Sequence, residues 1–165
     1  MKRLLALPRI MFVVATLAAC APIFSWQVAN FSTPIANSLG QVCWVKIDGT
    51  DSPDIATATF RADATYDPGA FTLTDRVELQ VFGRATAPGA ACTGSDATVD
   101  VTLSDPFELE RQATQPIEVG GAAYGSALAE LVNHGTFWLG ASAAGNVSLS
   151  EETVSFQNGR ITVGL

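Results

Sequence analysis

Apolar and polar residues alternate along most of the chain, with the two-residue period of strands that bury one face. The clearest case is residues 71–81, where every strongly apolar position is odd-numbered. Asp75 interrupts the apolar side, so the pattern predicts one long strand with a bulge or two short strands. Strands are also predicted at 23–28, 41–47, 55–66, 99–103, within 107–119, and at 136–139 and 146–150.

The second of these strands is apolar on both faces. Val45 and Ile47 share one face with Cys43, while Val42 and Trp44 share the other. A strand that can bury both faces is typical of the interior of a sheet, so we expect it to have a neighbour on each side.

Residues 121–133 are the stretch that fits a helical period. The residues that share the apolar face are Tyr124, Leu128, Leu131 and Val132. Asn133-His134-Gly135 follows directly and is a plausible helix end, because glycine adopts the left-handed conformation that ends many helices. We therefore predict one short helix here.

The last predicted element is a hairpin with strands at 153–157 and 160–163, joined by Asn158-Gly159. Asn-Gly is the pair that a two-residue type I′ turn favours, because both turn residues need a positive φ. With that loop Phe156 faces Ile161, so the apolar side chains of both strands fall on one face.

Many short alternating strands separated by Gly, Pro and Asn turns predict a mainly-β fold with antiparallel pairing. We expect a single antiparallel β-sandwich, or a small barrel, with at most one short helix near 121–133. No internal repeat indicates a second domain.

The N-terminal residues have the layout of a secretory signal, with Lys2, Arg3 and Arg9 ahead of an apolar run over 10–19. That run is too short for a transmembrane helix, which needs about 20 apolar residues. It ends in Leu17-Ala18-Ala19-Cys20, which resembles the lipobox of bacterial lipoproteins.

The resemblance implies that residues 1–19 are a signal peptide that is removed, and that 20–165 form a lipid-anchored domain of the bacterial cell envelope. In that family the cysteine, here Cys20, carries a diacylglycerol thioether and usually an acyl group, such as palmitate, on its amine. Several acyl chains anchor a protein stably, whereas one chain binds only marginally. Ala21, in place of Asp after the cysteine, implies the outer rather than the inner membrane if the cell is Gram-negative.

Removal of residues 1–19 takes away three basic residues and leaves 146 residues, enough for one domain. These carry 6 Lys and Arg against 16 Asp and Glu, a formal net charge of −10. So acidic a domain is repelled by nucleic acid and by anionic lipid head groups. Solubility alone explains this acidity, and a cation-binding surface is the alternative.

Cysteine number points to a disulfide. Cys20 is used by the lipid in this interpretation, which leaves Cys43 and Cys92 as a pair. Two remaining cysteines in an exported protein predict a disulfide, with free buried thiols as the alternative. Neither cysteine has a second Cys or a His near enough in sequence for a redox or zinc motif.

Nucleophilic catalysis is not indicated by the residues. The single histidine, His134, lies in the predicted helix-ending turn, so no base is placed beside a nucleophile. Ser142 lies in a small-residue segment, 140–145, that is predicted to be a loop and lacks the G-x-S-x-G spacing.

Calcium is the metal that the residues allow. Asp48, Asp51 and Asp54 offer several hard oxygen ligands within one turn that also contains Gly49. Such Asp-Gly-Ser-Pro clusters are also common turn formers, so a calcium loop is one of two interpretations.

Glycoside hydrolysis requires two carboxylates that face one cleft. Glu108 and Glu110 share a strand face and Glu151-Glu152 lies in a predicted turn, and both pairs are better explained as solvated side chains. The three tryptophans either build a carbohydrate- or peptide-binding platform or, more commonly, pack in the core. They are Trp26, Trp44 and Trp138.

These observations favour a non-enzymatic envelope lipoprotein with a binding or assembly role at the membrane surface. Its partners would be the membrane, through Cys20, and an envelope protein or polysaccharide. A calcium- or carbohydrate-binding module is the second hypothesis, and an envelope hydrolase with acidic catalytic residues is the third. No cofactor is expected apart from the calcium of the second hypothesis.

Replacement of the lipidated cysteine tests the anchor. We expect Cys20→Ser to lose radioactive palmitate labelling and to leave the membrane fraction, because the acyl chains provide the attachment. The matched control, Cys43→Ala combined with Cys92→Ala, should keep the label. A Cys20→Ser protein that still partitions with membranes would contradict the lipobox interpretation.

Overall fold

A computed structural model of the chain describes residues 23–35, 41–49, 54–69, 74–144 and 152–165. Within these residues, two antiparallel sheets face each other and one helix packs against strands of both. The mainly-β sandwich that the alternation predicts is confirmed.

The strands form two sheets. In chain order they are β1 (Ile23–Gln27), β2 (Phe31–Pro34), β3 (Gln41–Asp48), β4 (Thr57–Asp67), β5 (Arg76–Arg84), β6 (Cys92–Gly94), β7 (Val101–Thr102), β8 (Phe107–Glu110), β9 (Thr114–Gly120), β10 (Thr136–Ala144) and β11 (Thr153–Gly164). Sheet A has the order β1-β11-β4-β9, and β2 also pairs with β11. Sheet B has the order β6-β3-β10-β5-β7, and β8 also pairs with β5.

The core lies between the sheets and is built from the alternate residues of each long strand. The buried residues of β4 and β5 are Ala58, Phe60, Ala62, Ala64, Tyr66, Val77, Leu79 and Val81. These are the faces that the alternation over 55–66 and 71–81 predicts to be buried. Each large apolar side chain stabilises the fold by about 1.5–3 kcal/mol when it leaves water.

The helix α1 (Gly121–Asn133) has the predicted bounds and packs on β4 and β9. Its buried face includes Leu128, Leu131 and Val132. Gly83 of β5 lies so close to the Leu131 side chain that a Cβ at this position would overlap it. The helix ends as predicted, with Gly135 at φ 81. None of the described helical residues forms a helix long and apolar enough to cross a membrane.

Two predicted strands have different bounds in the structure. The strand predicted over 99–103 is wrong at its start, because only Val101–Thr102 pairs, and Val99 and Val101 are 42% and 37% exposed. The stretch 107–119 is divided into β8 and β9, since the turn at 111–113 takes the chain from sheet B to sheet A.

Segment 140–145 was predicted to be a loop, but β10 continues to Ala144. Both edges of β10 are paired, with β3 and with β5, and this pairing extends the strand through small residues of low strand propensity. Residues 71–73 and the strand predicted at 146–150 lie outside the described residues.

The predicted C-terminal hairpin is wrong, because β11 is one strand and Asn158-Gly159 is a bulge within it. Asn158 has φ 54, the left-handed conformation that a type I′ turn would also require. Across the bulge the pairing with β4 passes from Gln157↔Asp63 to Arg160↔Arg61, so β11 contains one extra residue. Val28 donates its backbone N–H to the Gly159 carbonyl at 2.8 Å, which ties the same point to the chain between β1 and β2.

Strand β3 has a partner on each side, as its two apolar faces predict. Cys43 pairs directly with Cys92 of β6, and the two form the predicted disulfide. On the outer face of sheet B, the Trp44 ring lies against Gly140 of β10, where a Cβ would be 2.6 Å from Trp44 Cε3. Trp44 is only 7% exposed although it lies outside the main core.

Segment 85–100 lies over this outer face. It joins β5 to β7 by way of β6, and β6 and β7 are at opposite edges of sheet B. The Arg84 guanidinium carbon is 4.7 Å from the Trp44 ring centroid, and Arg84 Nε donates to Asp100 Oδ1 at 2.6 Å. The Asp100 side chain is 1% exposed, so this ion pair is buried. Removal of one partner from a buried pair typically costs about 3–5 kcal/mol.

Substitution of Gly140 tests the packing of Trp44 on the backbone. We expect Gly140→Ala to lower the free energy of unfolding by about 1–3 kcal/mol, because the added methyl group overlaps Trp44 and Val42. Chemical denaturation measures this change. The control is Gly94→Ala, where nothing lies within 4 Å of the added Cβ. Equal midpoints for the two variants would contradict this packing.

Candidate functional site: a groove between the two sheets

A groove of about 440 Å³ lies where β8 of sheet B and β9 of sheet A meet the start of α1. Its apolar lining includes Leu109 and Ile117, which are buried side chains of the two strands. Its polar lining includes Asp105, Glu108, Gln115, Glu118 and Tyr124. The groove therefore has a mixed polar and apolar lining, with the polar side chains just named as its rim, and its two walls come from different sheets.

The wall formed by β9 is the outer edge of sheet A. Gly120, at the end of β9, donates its backbone N–H to the Leu103 carbonyl at 2.9 Å, which closes the groove at that point. Backbone groups of alternate strand residues point the same way, so those of Glu118 and Pro116 also face outward. Pro116 lacks an N–H, and such a residue is tolerated on an edge because it breaks no ladder hydrogen bond.

The charged side chains of the groove lining are all acidic: Asp105, Glu108 and Glu118. Two of them contact arginines that do not line the groove, since Arg61 lies 2.8 Å from Glu118 and Arg76 lies 3.4 Å from Glu108. All four of these side chains are about half exposed or more, so these pairs contribute little to stability. Among the described residues, Asp105 is the rim carboxylate that pairs with no arginine.

Tyr124 of α1 links the helix to this rim. Its hydroxyl donates a hydrogen bond of 2.6 Å to Asp105 Oδ1. The hydrogen bond, aided by burial and by the Asp105 charge, raises the pKa of Tyr124, so the hydroxyl stays a donor at neutral pH.

A second acidic residue is buried away from the groove, beside Tyr66 at the end of β4. Glu152 is 1% exposed and Tyr66 is fully buried. Burial, followed by the negative charge of the neighbouring Glu152, raises the pKa of Tyr66 from 10.0 to about 12, while the Arg111 charge lowers it. Backbone hydrogen bonds from Ile35 to Glu152 and from Gln112 to Tyr66 join the surrounding segments, so the role of this cluster is structural.

The predicted calcium loop is described in part. Asp48 is exposed and lies 2.8 Å from Lys46 Nζ, Asp54 is exposed with φ 68, and Asp51 lies outside the described residues. Among the described residues, no group of three His, Cys, Asp or Glu side chains could hold a metal ion. Calcium binding at this turn stays a prediction.

The tryptophans do not share one surface. Trp26 lies in sheet A and is half-buried, whereas Trp44 and Trp138 lie in sheet B and are buried and half-buried. A platform made of all three is therefore wrong, because Trp26 lies in a different sheet from Trp44 and Trp138.

The predicted acidic pairs have different surroundings. Glu108 and Glu110 are exposed, as expected, and Glu108 also lines the groove. The prediction that Glu152 is solvated is wrong, because Tyr66 and the chain just after β2 cover it. Glu151 and Cys20 lie outside the described residues.

Sequence reasoning missed Asp105, Glu118 and Tyr124 as residues of one site. A signal was present, since Asp105, Glu108, Glu110 and Glu118 are four acidic residues within a short stretch of the chain. Alternation alone could not show that β8 and β9 belong to different sheets and face one groove.

Comparisons with known proteins give no family for this chain. No family model matches it, and no curated protein matches it. It is similar to chains of three infectious bursal disease virus structures: the T13 viral particle (11% identity, 96% of this chain and 35% of that chain, TM-score 0.40), the Gx strain (10%, 99% and 37%, 0.42) and the Gt strain (10%, 98% and 37%, 0.39). The chain thus spans little more than a third of each. Such low TM-scores support no argument about this protein.

Titration of Tyr66 tests the buried cluster. The chain has two tyrosines, so Tyr124→Phe leaves Tyr66 as the only one. We expect the tyrosinate absorbance of Tyr66 to appear near pH 12. Glu152→Gln should lower the pKa of Tyr66 only partly, because burial is the largest cause of the shift. Because an unfolded tyrosine ionises near pH 10, stability should fall as pH rises from 10 through about 12.

The control for this titration is Tyr66→Phe, which should lack that fall in stability. Ionisation of Tyr66 near pH 10 in the folded protein would contradict the buried environment.

Proposed function

We propose that this protein is a lipid-anchored binding module of the bacterial envelope whose groove between β8 and β9 holds a basic, extended segment of a partner protein. The observation that carries the proposal is the groove itself, whose lining of mixed polarity contains three carboxylates and no basic side chain. The resemblance of Leu17-Ala18-Ala19-Cys20 to a lipobox supports the location.

The backbone supports an extended ligand. The outward backbone groups of Glu118 and Pro116 lie along the groove, and an added strand can take up such groups as hydrogen-bond partners. Pro116 offers only a carbonyl, so the edge provides a short and specific pairing surface rather than a long one. Alternate side chains of a bound strand would then point towards Leu109 and Ile117 or towards solvent.

Charge supports a basic ligand. The mature domain has a net charge of −10, and the rim carboxylates Asp105, Glu108 and Glu118 concentrate negative charge at the groove. Lysine or arginine side chains of the partner would approach these carboxylates, and their attraction would act on the rate of association and on specificity. Such binding weakens as salt rises.

In-cell photo-crosslinking tests the proposal. A photoreactive amino acid at Ala123, an exposed residue of the groove lining, should yield an adduct with a partner protein. The matched control is the same amino acid at Ala87, which is also an exposed alanine but does not line the groove. We expect Asp105→Asn or Glu118→Gln to reduce the adduct about two- to fivefold, the size of one exposed charge pair.

The outcomes separate clearly. An adduct from position 123 alone, with a basic segment at its attachment point, supports the groove. Adducts of equal yield from both positions, or none from position 123, would contradict it.

A further inference from the structure

One edge of sheet A is free of charge. No Asp, Glu, Lys, Arg or His occurs between Arg9 and Lys46, although the mature domain has 6 basic and 16 acidic residues. The described part of this stretch contains β1 and β2, which pair one after the other with the same edge of β11. Natural edge strands usually carry charges that prevent unwanted pairing, so this edge lacks the common protection.

The edge also exposes an aromatic side chain. Phe24 of β1 is 55% exposed, whereas its partner Val163 on β11 is 2% exposed and belongs to the core. The Phe24 ring therefore projects beyond the core. Leu165, which follows the Gly164 that pairs with Ile23, is 46% exposed beside it.

Arg160 does not share the face of Phe24. Phe24 pairs with Val163, whose side chain enters the core, whereas Arg160 pairs with Gln27 and donates a hydrogen bond of 3.0 Å from Nη1 to Ser25 Oγ. Arg160 therefore lies on the opposite face of the sheet, where Asp63 and Glu118 line the same hollow. The uncharged apolar part of this edge is β1 itself, with Leu165 beside it.

We infer that this surface, the β1 flank (Ile23–Gln27 with Leu165), lies against the lipid surface to which Cys20 attaches the domain. The inference rests on the lipid anchor of the proposed function. Cys20 precedes Ile23 by three residues, a reach of about 10 Å when extended, so β1 cannot be far from the head groups. Phe24 would enter the boundary between head groups and acyl chains.

This orientation leaves the groove free. In the order β1-β11-β4-β9, the β1 flank is at one edge of sheet A and the groove is at the other. Three strand spacings of about 4.8 Å separate the edges. A domain that rests on β1 therefore presents its acidic rim away from the membrane, where like charges on lipids would otherwise repel it.

The test uses the lipidated full-length protein in vesicles of phosphatidylcholine and phosphatidylglycerol whose acyl chains are brominated near the head group. Phe24→Trp adds a reporter on the β1 flank. The control is Val99→Trp. Val99 is also an apolar residue and is 42% exposed, but it lies in segment 85–100. We expect the emission of the tryptophan at position 24 to shift to shorter wavelength and to be largely quenched by bromine. The tryptophan at position 99 should keep its emission wavelength and its intensity.

Flotation of the vesicles separates the two proposals. Protein that floats without quenching at position 24 would overturn the inference and leave the anchor standing. Protein that does not float would overturn both. A shorter emission wavelength at position 24 without bromine quenching, together with a dimer by cross-linking, would mean that a second copy covers β1 and would also overturn the inference.

Discussion

Strand β11 is the element on which sheet A depends, because it is paired along both edges. One edge pairs with β4, and the other pairs with β1 and then with β2. The extra residue at Asn158-Gly159 shifts the alternation of side chains by one position. Even-numbered residues before it and odd-numbered residues after it therefore point into the core: Val154, Phe156, Ile161 and Val163. Without it, one half of the strand would turn its apolar side chains to solvent.

The pairing of β11 also determines which edges of sheet A remain open. Since β11 takes β1 and β2 on one side and β4 on the other, sheet A ends at β1 and at β9. The first edge follows directly from the N-terminal segment, and the second forms a wall of the groove. The proposed membrane-facing surface and the proposed binding surface thus lie at opposite edges of sheet A.

Two buried polar clusters outside the groove hold long connections against the sheets. Arg84 and Asp100 fasten segment 85–100 over Trp44, and the disulfide of Cys43 and Cys92 ties the same segment to β3. Glu152 and Tyr66 lie where the start of β11 meets the ends of β2 and β4. Buried ionisable groups of this kind contribute little net stability but are costly to leave unpaired, so they favour one arrangement of the loops.

Local rules predicted some elements well and failed for others, and the difference has a physical cause. Helix α1 and the buried face of β4 have the expected bounds because their own periodicity favours one answer. For Asn158-Gly159 two answers fit equally well: a hairpin and a bulge both need a positive φ and both put the apolar residues on one face. Only the presence of β4, β1 and β2 as partners selects the bulge.

The sequence by itself determined which side chains are buried in the long strands, where the helix lies, and that the residues after Arg9 are uncharged until Lys46. These properties depend on residue type and on spacing along a single element. The tertiary structure alone decided that Asp100 turns inward to Arg84 and that Asp105, Glu108 and Glu118 face one groove. The first contact joins a strand to a long connection and the second brings strands of different sheets together, so both depend on how the whole core closes rather than on the preference of any one segment.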